Sequence, residues 1–269
     1  MKKLLLVSLL LVHVCIYAQQ DLGALAKPIV EEGKRLYRSE MASWYGTDLF
    51  LVKYKEKARI GGYFSYTENK VSKCIFFSKG NPAKVIGTIL FDSTYNVKTA
   101  GLDLSERSFT PNELDLYTIR MRALDLIQKD KFFKTYSNSD LNLIPMIYGG
   151  EKKVFVLTGP KENGVAIFGN DYLINFTSDN QISDKKQLHN NIIPIDFTPK
   201  DNGALEVQGA MHSHLPETGD LITSTDICTL MLYEKVAKWK KHTVVSAKYI
   251  CKWNCITDEL IIAPMDDKQ

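Results

Sequence analysis

Two histidines and one aspartate have the side-chain types and the spacing of metal ligands. His212 and His214 lie in Met211-His212-Ser213-His214, and Asp226 ends the segment Thr223-Ser224-Thr225-Asp226. Side chains at positions i and i+2 of a strand point to the same face. An aspartate in the first turn of the following helix can turn back toward that face. Two imidazoles, one carboxylate and an open fourth position describe a catalytic zinc site.

The same residues also have structural interpretations. Thr223 and Asp226 stand before an apolar run with the spacing of a helix capping box. A His-x-His pair by itself is more often a surface or core pair than a ligand pair. His189 is interpreted as a loop or strand-end histidine, with a supporting role in a cleft as the less favoured alternative. His242 is interpreted as structural, at the start of a strand.

The first half of the chain has one helical pattern followed by strand-like runs. The helical pattern extends from Leu22 to Trp44, and Pro28 is expected to kink or to start the longer helix. Strands are then predicted at 48–54, 60–66, 71–78 and 85–92, because aromatic and β-branched residues are bounded there by turn residues. These runs predict an antiparallel meander.

The second half opens with a clear helix start. Thr110-Pro111-Asn112-Glu113 offers an N-cap, a proline at N1 and a glutamate at N3, and the apolar stripe continues to about Lys129. Strands are predicted at 143–148, 153–158, 165–168, 172–176 and 192–197, and after the His-x-His strand at 243–246, 249–253 and 260–263. A third helix is predicted from Thr223 to about Trp239. The predicted class is α+β, with an N-terminal region at 19–108 and a second domain at 109–269.

The first 18 residues have the pattern of a secretory signal peptide. Lys2 and Lys3 precede an apolar run, and cleavage is expected after Ala18. No later run is long and apolar enough to span a membrane, so we expect an exported protein, secreted or periplasmic. Removing this segment leaves one more basic than acidic residue, which argues against a nucleic-acid partner. Disulfides are possible after export, but free buried thiols are favoured at the four remaining cysteines, Cys74, Cys228, Cys251 and Cys255.

Placement of the His-x-His pair distinguishes among metal-binding families. An amidohydrolase barrel needs far more chain after the pair than remains beyond His214. No His-x-Glu with Cys-x-x-Cys and no His-Glu-x-x-His is present. The order strand, His-x-His, loop, [Ser/Thr]-x-x-Asp, helix and strand resembles that of the JAMM (JAB/MPN) metalloproteases, over roughly residues 110 to 263. The resemblance implies a JAMM-like (cytidine-deaminase-like) C-terminal domain behind the N-terminal meander.

The resemblance also implies roles for individual residues. His212, His214 and Asp226 match the zinc ligands of the family, and Thr223 matches the serine that helps to hold the reacting carbonyl oxygen. The loop before Thr223 is one residue longer than the family spacing, and threonine replaces serine. The family's catalytic glutamate is best matched by Glu162, in Glu162-Asn163-Gly164, although one glycine of the pattern is shifted. Glu151 and Glu206 are poorer matches.

This assignment implies a zinc-dependent hydrolase of peptide or isopeptide bonds. Zinc would lower the pKa of a bound water, Glu162 would act as general base, and Thr223 would stabilise the oxyanion. The implied partner is a peptide or protein substrate. A different class is kept open, an envelope-associated binding protein that retains the fold without turnover. A purely structural exported domain without metal is the third alternative.

Overall fold

The computed structural model describes residues 22–198 and 208–265 and has the expected α+β class. Its helices are α1 (Leu22–Lys53), α2 (Pro111–Lys129) and α3 (Ser224–Tyr233). The signal peptide expected at 1–18 and the candidate base Glu206 lie outside these ranges. Within them, no helix is both long enough and apolar enough to cross a membrane.

Strands of the first half form the antiparallel meander that the sequence predicts. This sheet contains, in spatial order, β1 (Ile60–Glu68), β2 (Val71–Ser78), β3 (Val85–Phe91) and β4 (Gly101–Asp103). The short strand β4 was not expected. It pairs with β3 and brings the chain toward the start of α2.

The second half contains two further four-stranded sheets and a separate strand pair. One sheet has the order β5 (Ser139–Tyr148), β6 (Glu151–Pro160), β8 (Tyr172–Phe176), β9 (Ile182–Gln187). The pair consists of β7 (Val165–Gly169) and β10 (Ile192–Asp196). The last sheet has the order β11 (Gly209–Ser213), β12 (Lys241–Val245), β13 (Tyr249–Asn254), β14 (Glu259–Pro264). Its first two strands are parallel, and α3 connects them, as a parallel crossover requires.

Helix α1 corrects one prediction, because the residues expected to form a first strand at 48–54 are helical as far as Lys53. The reason is a buried helical face with four-residue spacing at Ala42, Gly46 and Phe50. A β-carbon at Gly46 would lie 2.7 Å from Cys74 Cβ, so glycine lets the helix pack closely on β2. The helix also continues through Pro28.

The N-terminal half of α1 packs on α3. A β-carbon at Gly33 would lie 2.7 Å from Ile227 Cβ, which shows how closely the two helices approach. Ala26 joins Ile227, Val244 and Trp253 in the hydrophobic core that lies beneath α3 and the sheet β11 to β14. Helix α1 therefore supports the element that carries Asp226.

Helix α3 is shorter than the expected span to Trp239, since it ends at Tyr233. The chain then turns, with Trp239 N donating to Glu234 O and Lys240 N to Gln208 O. The buried Glu234 carboxylate accepts from Trp253 Nε1 at 3.0 Å. These bonds direct the chain into β12 before a longer helix can form.

The described cysteines are buried and free, as expected. Cys74, Cys228, Cys251 and Cys255 make no disulfide. Desolvation raises the pKa of the Cys74 thiol to about 12, which keeps it protonated at neutral pH.

The start of α2 is fixed by the capping box that the sequence predicts. Thr110 Oγ1 accepts from Glu113 N, and Glu113 Oε2 accepts from Thr110 N at 2.8 Å. The buried Glu113 carboxylate also accepts hydrogen bonds from both terminal nitrogens of Arg107, at 2.6 and 2.8 Å. Burial opposes ionisation, but the bonds from Arg107 and Thr110 hold the pKa of Glu113 below its usual value.

We predict that Glu113→Gln lowers the free energy of unfolding by about 1.5–3 kcal/mol at pH 7, because it removes the buried carboxylate that accepts from the partly exposed Arg107. The wild-type contribution is present above the unfolded pKa of about 4.5 and is lost as pH falls through the lower folded value. Urea unfolding at pH 7 and at pH 3 measures both effects.

The matched control is Asp125→Asn, which removes the exposed α2 ion pair with Lys129 at 2.6 Å. Exposed pairs contribute about 0–1 kcal/mol, so this variant should unfold almost like the wild type. An equal loss in Glu113→Gln at both pH values would contradict the assignment of the pH dependence to this carboxylate.

Candidate metal centre

Strand β11 presents both histidines of the His-x-His segment on one face. The sheet continues beyond the strand, because His214 N donates to Val245 O at 2.8 Å. His212 and His214 are 7 % and 6 % exposed, whereas Met211, on the opposite face, is 65 % exposed. The Nε2 atoms of the two histidines lie 3.1 Å apart. The alternation of a strand thus brings the two rings together as predicted.

Helix α3 brings Asp226 to the same place while Asp226 also caps the helix. Asp226 Oδ2 accepts from Thr223 N at 2.9 Å and from Thr223 Oγ1 at 2.8 Å, and Thr223 Oγ1 accepts from Asp226 N. Asp226 Oδ2 lies 3.3 Å from His214 Nε2, and Oδ1 lies 3.6 Å from His212 Nε2. The capping box and the cluster were alternatives in the sequence, and the structure shows both at once.

A third histidine, His189, completes the group. It lies in the loop between β9 and β10, and its Nε2 is 3.0 Å from His214 Nε2 and 3.5 Å from Asp226 Oδ2. The four ligand atoms of His189, His212, His214 and Asp226 lie within 4.8 Å of one another, and all four residues are buried. This cluster could hold a metal ion.

Asp171 and the turn before it position His189. Asp171 Oδ1 lies 2.7 Å from His189 Nδ1, so a neutral His189 would keep its proton on Nδ1 and direct its Nε2 lone pair at the cluster. The turn from β7 to β8 has left-handed φ values of 79° at Gly169 and 47° at Asn170. Asn170 N donates to Asn191 O at 3.0 Å, which ties this turn to the loop of His189.

His242 supports His212 from behind. Its Nε2 lies 2.9 Å from His212 Nδ1, and its ring stacks on Phe168 with centroids 5.0 Å apart. Burial, aided by His212, lowers the pKa of His242 to about 3, so the ring is neutral. With the His212 proton on Nδ1 donated to His242, the Nε2 lone pair of His212 also points at the cluster. The structural role expected for His242 is thus a supporting contact to His212.

The electrostatics of the cluster require a positive charge. Burial opposes ionisation of Asp226, yet His189 and His212 hold its pKa well below the usual value. Burial likewise disfavours a charged His189, but Asp226 and Asp171 raise the pKa of His189 to about 11. The pKa of His212 is lowered, chiefly by burial. Either a proton on His189 or a cation among the four ligand atoms would balance the carboxylates.

Distances within the cluster are short enough for one metal ion. Bonds of about 2.0–2.1 Å separate tetrahedral ligand atoms by about 3.3–3.4 Å. Five contacts, taken over both oxygens of Asp226, measure 3.0, 3.1, 3.3, 3.5 and 3.6 Å, and the four ligand atoms all lie within 4.8 Å of one another. Buried Asp226 Oδ1 has no hydrogen-bond partner, which is expected of an atom that binds a cation. The donor set of three nitrogens and a carboxylate suits a first-row transition metal better than Mg²⁺ or Ca²⁺.

Candidate bases from the sequence lie elsewhere in the structure. Glu162 is exposed in the turn between β6 and β7, where it accepts from Asn138 Nδ2 at 2.9 Å. Glu151 is exposed at the start of β6 and pairs with Lys153 at 2.7 Å. Neither belongs to the cluster. Thr223 is adjacent to it, but its hydroxyl is bonded to Asp226.

The sequence did not predict that His189 belongs to the cluster, because its position depends on long-range packing. The only signal available in the sequence was the small number of histidines. The chain has five, and one of them, His13, lies in the expected signal peptide. The other four are all buried, three in the cluster and His242 in contact with it.

Comparisons with family models, with curated proteins and with solved structures found no match to this chain. The resemblance to the JAMM metalloproteases therefore remains an expectation from the sequence motif.

We predict that Thr223→Val lowers the free energy of unfolding by about 1–2 kcal/mol, the usual effect of losing an N-cap side chain. Thr223→Ser keeps the hydroxyl and should remain within about 0.5 kcal/mol of the wild type. Urea unfolding of the three proteins tests this. Equal stability of the valine and serine variants would show that the hydroxyl does not hold the helix start.

We predict that Gly169→Ala is more destabilising than Gly149→Ala, although both glycines have left-handed φ values of 79° and 59°. A β-carbon at Gly169 would lie 2.2 Å from Asn191 O, whereas one at Gly149 has no atom within 4 Å. The control therefore measures backbone strain alone, about 1–2 kcal/mol, and thermal unfolding reveals the excess at Gly169. Equal losses would mean that the His189 loop moves aside freely.

Proposed function

We propose that this chain is an exported, zinc-dependent hydrolase of peptide or isopeptide bonds. The observation that carries the proposal is the convergence of His212, His214 and Asp226 on a β11–α3–β12 unit. This is the element order in which the JAMM-like motif would place its ligands. The expected signal peptide supports the exported location, secreted or periplasmic.

The choice of zinc rests on donor chemistry and geometry. Three imidazole nitrogens and a carboxylate are donors that suit zinc, and Asp226 Oδ1 has no hydrogen-bond partner. When bound there with one coordination position open, zinc would act as a Lewis acid and lower the pKa of a coordinated water.

The chain's own residues would orient this centre. Thr223 directs the Asp226 carboxylate through two hydrogen bonds, and His242 holds the ring of His212 through Nδ1. Glu162, the residue matched to the family base, is not brought to the cluster, so the proposal rests on the metal centre and not on that glutamate. We propose a peptide or isopeptide substrate because amide hydrolysis uses a Lewis acid at the carbonyl oxygen, which such a centre would supply.

A second candidate belongs to a different class, an envelope-associated metal-binding protein without turnover. The observation that favours it is the burial of all four residues together with a fourth protein ligand atom on His189. Catalytic zinc sites keep a coordination position open, whereas structural sites are closed by protein ligands. Both candidate functions include a bound metal, but only the first includes hydrolysis.

Metal analysis with hydrolysis assays tests the proposal. We expect about one zinc per wild-type chain, and loss of the metal in His212→Ala, which removes a ligand atom, and in Asp226→Asn, which removes the negative charge of the carboxylate ligand. The control is Met211→Ala, on the opposite face of β11, which should keep the metal. Wild type should cleave members of a peptide or isopeptide library, and a chelator should abolish cleavage.

Full zinc occupancy in His212→Ala would overturn the site. Zinc in the wild type without cleavage of either bond class would overturn the hydrolase and favour the binding protein.

A further inference from the structure

We infer that His189 is a protein ligand of the metal, held by Asp171, and that it closes the coordination shell of the resting site. The inference rests on the metal centre of the proposed function and goes beyond the three-ligand motif from which it was argued. It assigns His189 by its place in the structure, because no sequence motif connects it to His212 and His214.

Direct binding of His189 to the metal explains the distances better than a contact through a water molecule. If a water stood between His189 and the metal, a hydrogen bond of about 2.8 Å would separate Nε2 from that water. The separations of Nε2 from the other ligand atoms would then exceed about 4 Å, given metal bonds of about 2 Å. The structure has 3.0 Å to His214 Nε2 and 3.5 Å to Asp226 Oδ2, and the four ligand atoms all lie within 4.8 Å of one another. His189 is therefore as close to His214 and Asp226 as a ligand would be.

Asp171 provides the second layer expected around a metal-binding histidine. Ligand histidines usually donate their other ring nitrogen to a carboxylate or carbonyl, which fixes the tautomer. The 2.7 Å contact from His189 Nδ1 to Asp171 Oδ1 has this form, with both side chains buried. The backbone adds to it, since Leu188 N donates to Asp171 O at 2.9 Å. His189 is thus fixed from both its ring and its chain.

The consequence concerns how the site is regulated. If His189, His212, His214 and Asp226 all held the metal, a tetrahedral ion would have no position left for water. The side chain of His189 would then limit access to the ion. The wild type should therefore cleave more slowly than His189→Ala, in which a coordination position would be open.

X-ray absorption of the zinc-loaded full chain tests the assignment directly by counting imidazole ligands. We expect three in wild type, two in His189→Ala and three in Asp171→Asn. Chelator competition should show an affinity about 10–100-fold weaker in Asp171→Asn, and at least as weak in His189→Ala. The control is Asn190→Ala, on the same loop, which should match wild type in both measurements.

Two imidazoles in wild type, or unchanged affinity in His189→Ala and Asp171→Asn, would overturn the inference. Circular dichroism shows whether each variant is folded. If His189→Ala does not fold, the affinity of Asp171→Asn for zinc still tests the inference. The hydrolase proposal is judged separately, by cleavage. Three imidazoles without cleavage by wild type or His189→Ala would support the inference and overturn the hydrolase.

Discussion

The Asp226 carboxylate is the interaction on which the rest of the site depends. One oxygen accepts two hydrogen bonds from Thr223 and so fixes the start of α3, while the other has no partner and lies 3.6 Å from His212 Nε2. A buried carboxylate with an unsatisfied oxygen is costly unless a proton or a cation compensates it. The helix cap and the candidate metal centre therefore share a single side chain, and loss of the cap should disturb the centre.

The surrounding fold explains why this carboxylate stays in place. Helix α1 packs on α3 through the close approach at Gly33, and the parallel pair β11–β12 fixes both ends of the crossover that contains α3. The turn after β7 fixes the loop of His189 through Gly169 and Asn170. Ligands thus come from a strand, a helix and a loop that belong to different parts of the fold. This arrangement holds the candidate ligand atoms close together without a bound ion.

Sequence reasoning succeeded where geometry is local. The capping boxes at Thr110 and Thr223 and the shared face of His212 and His214 follow from spacings of two or three residues, which secondary structure alone converts into contacts. It failed where tertiary packing decides. The run at 48–54 suits a strand as well as a helix, and only its packing on β2 makes it helical. His189 reaches the cluster by long-range packing, and no periodicity in the sequence encodes that approach.

The most direct measurement is a crystal structure of the zinc-soaked protein with anomalous data collected at the zinc edge. The account predicts one strong anomalous peak about 2.0–2.2 Å from His189 Nε2, His212 Nε2, His214 Nε2 and a carboxylate oxygen of Asp226. The absence of a peak there, with His189 instead donating a hydrogen bond to Asp226, would contradict it. The cluster would then be a buried ion pair, and the metal centre would have to be abandoned.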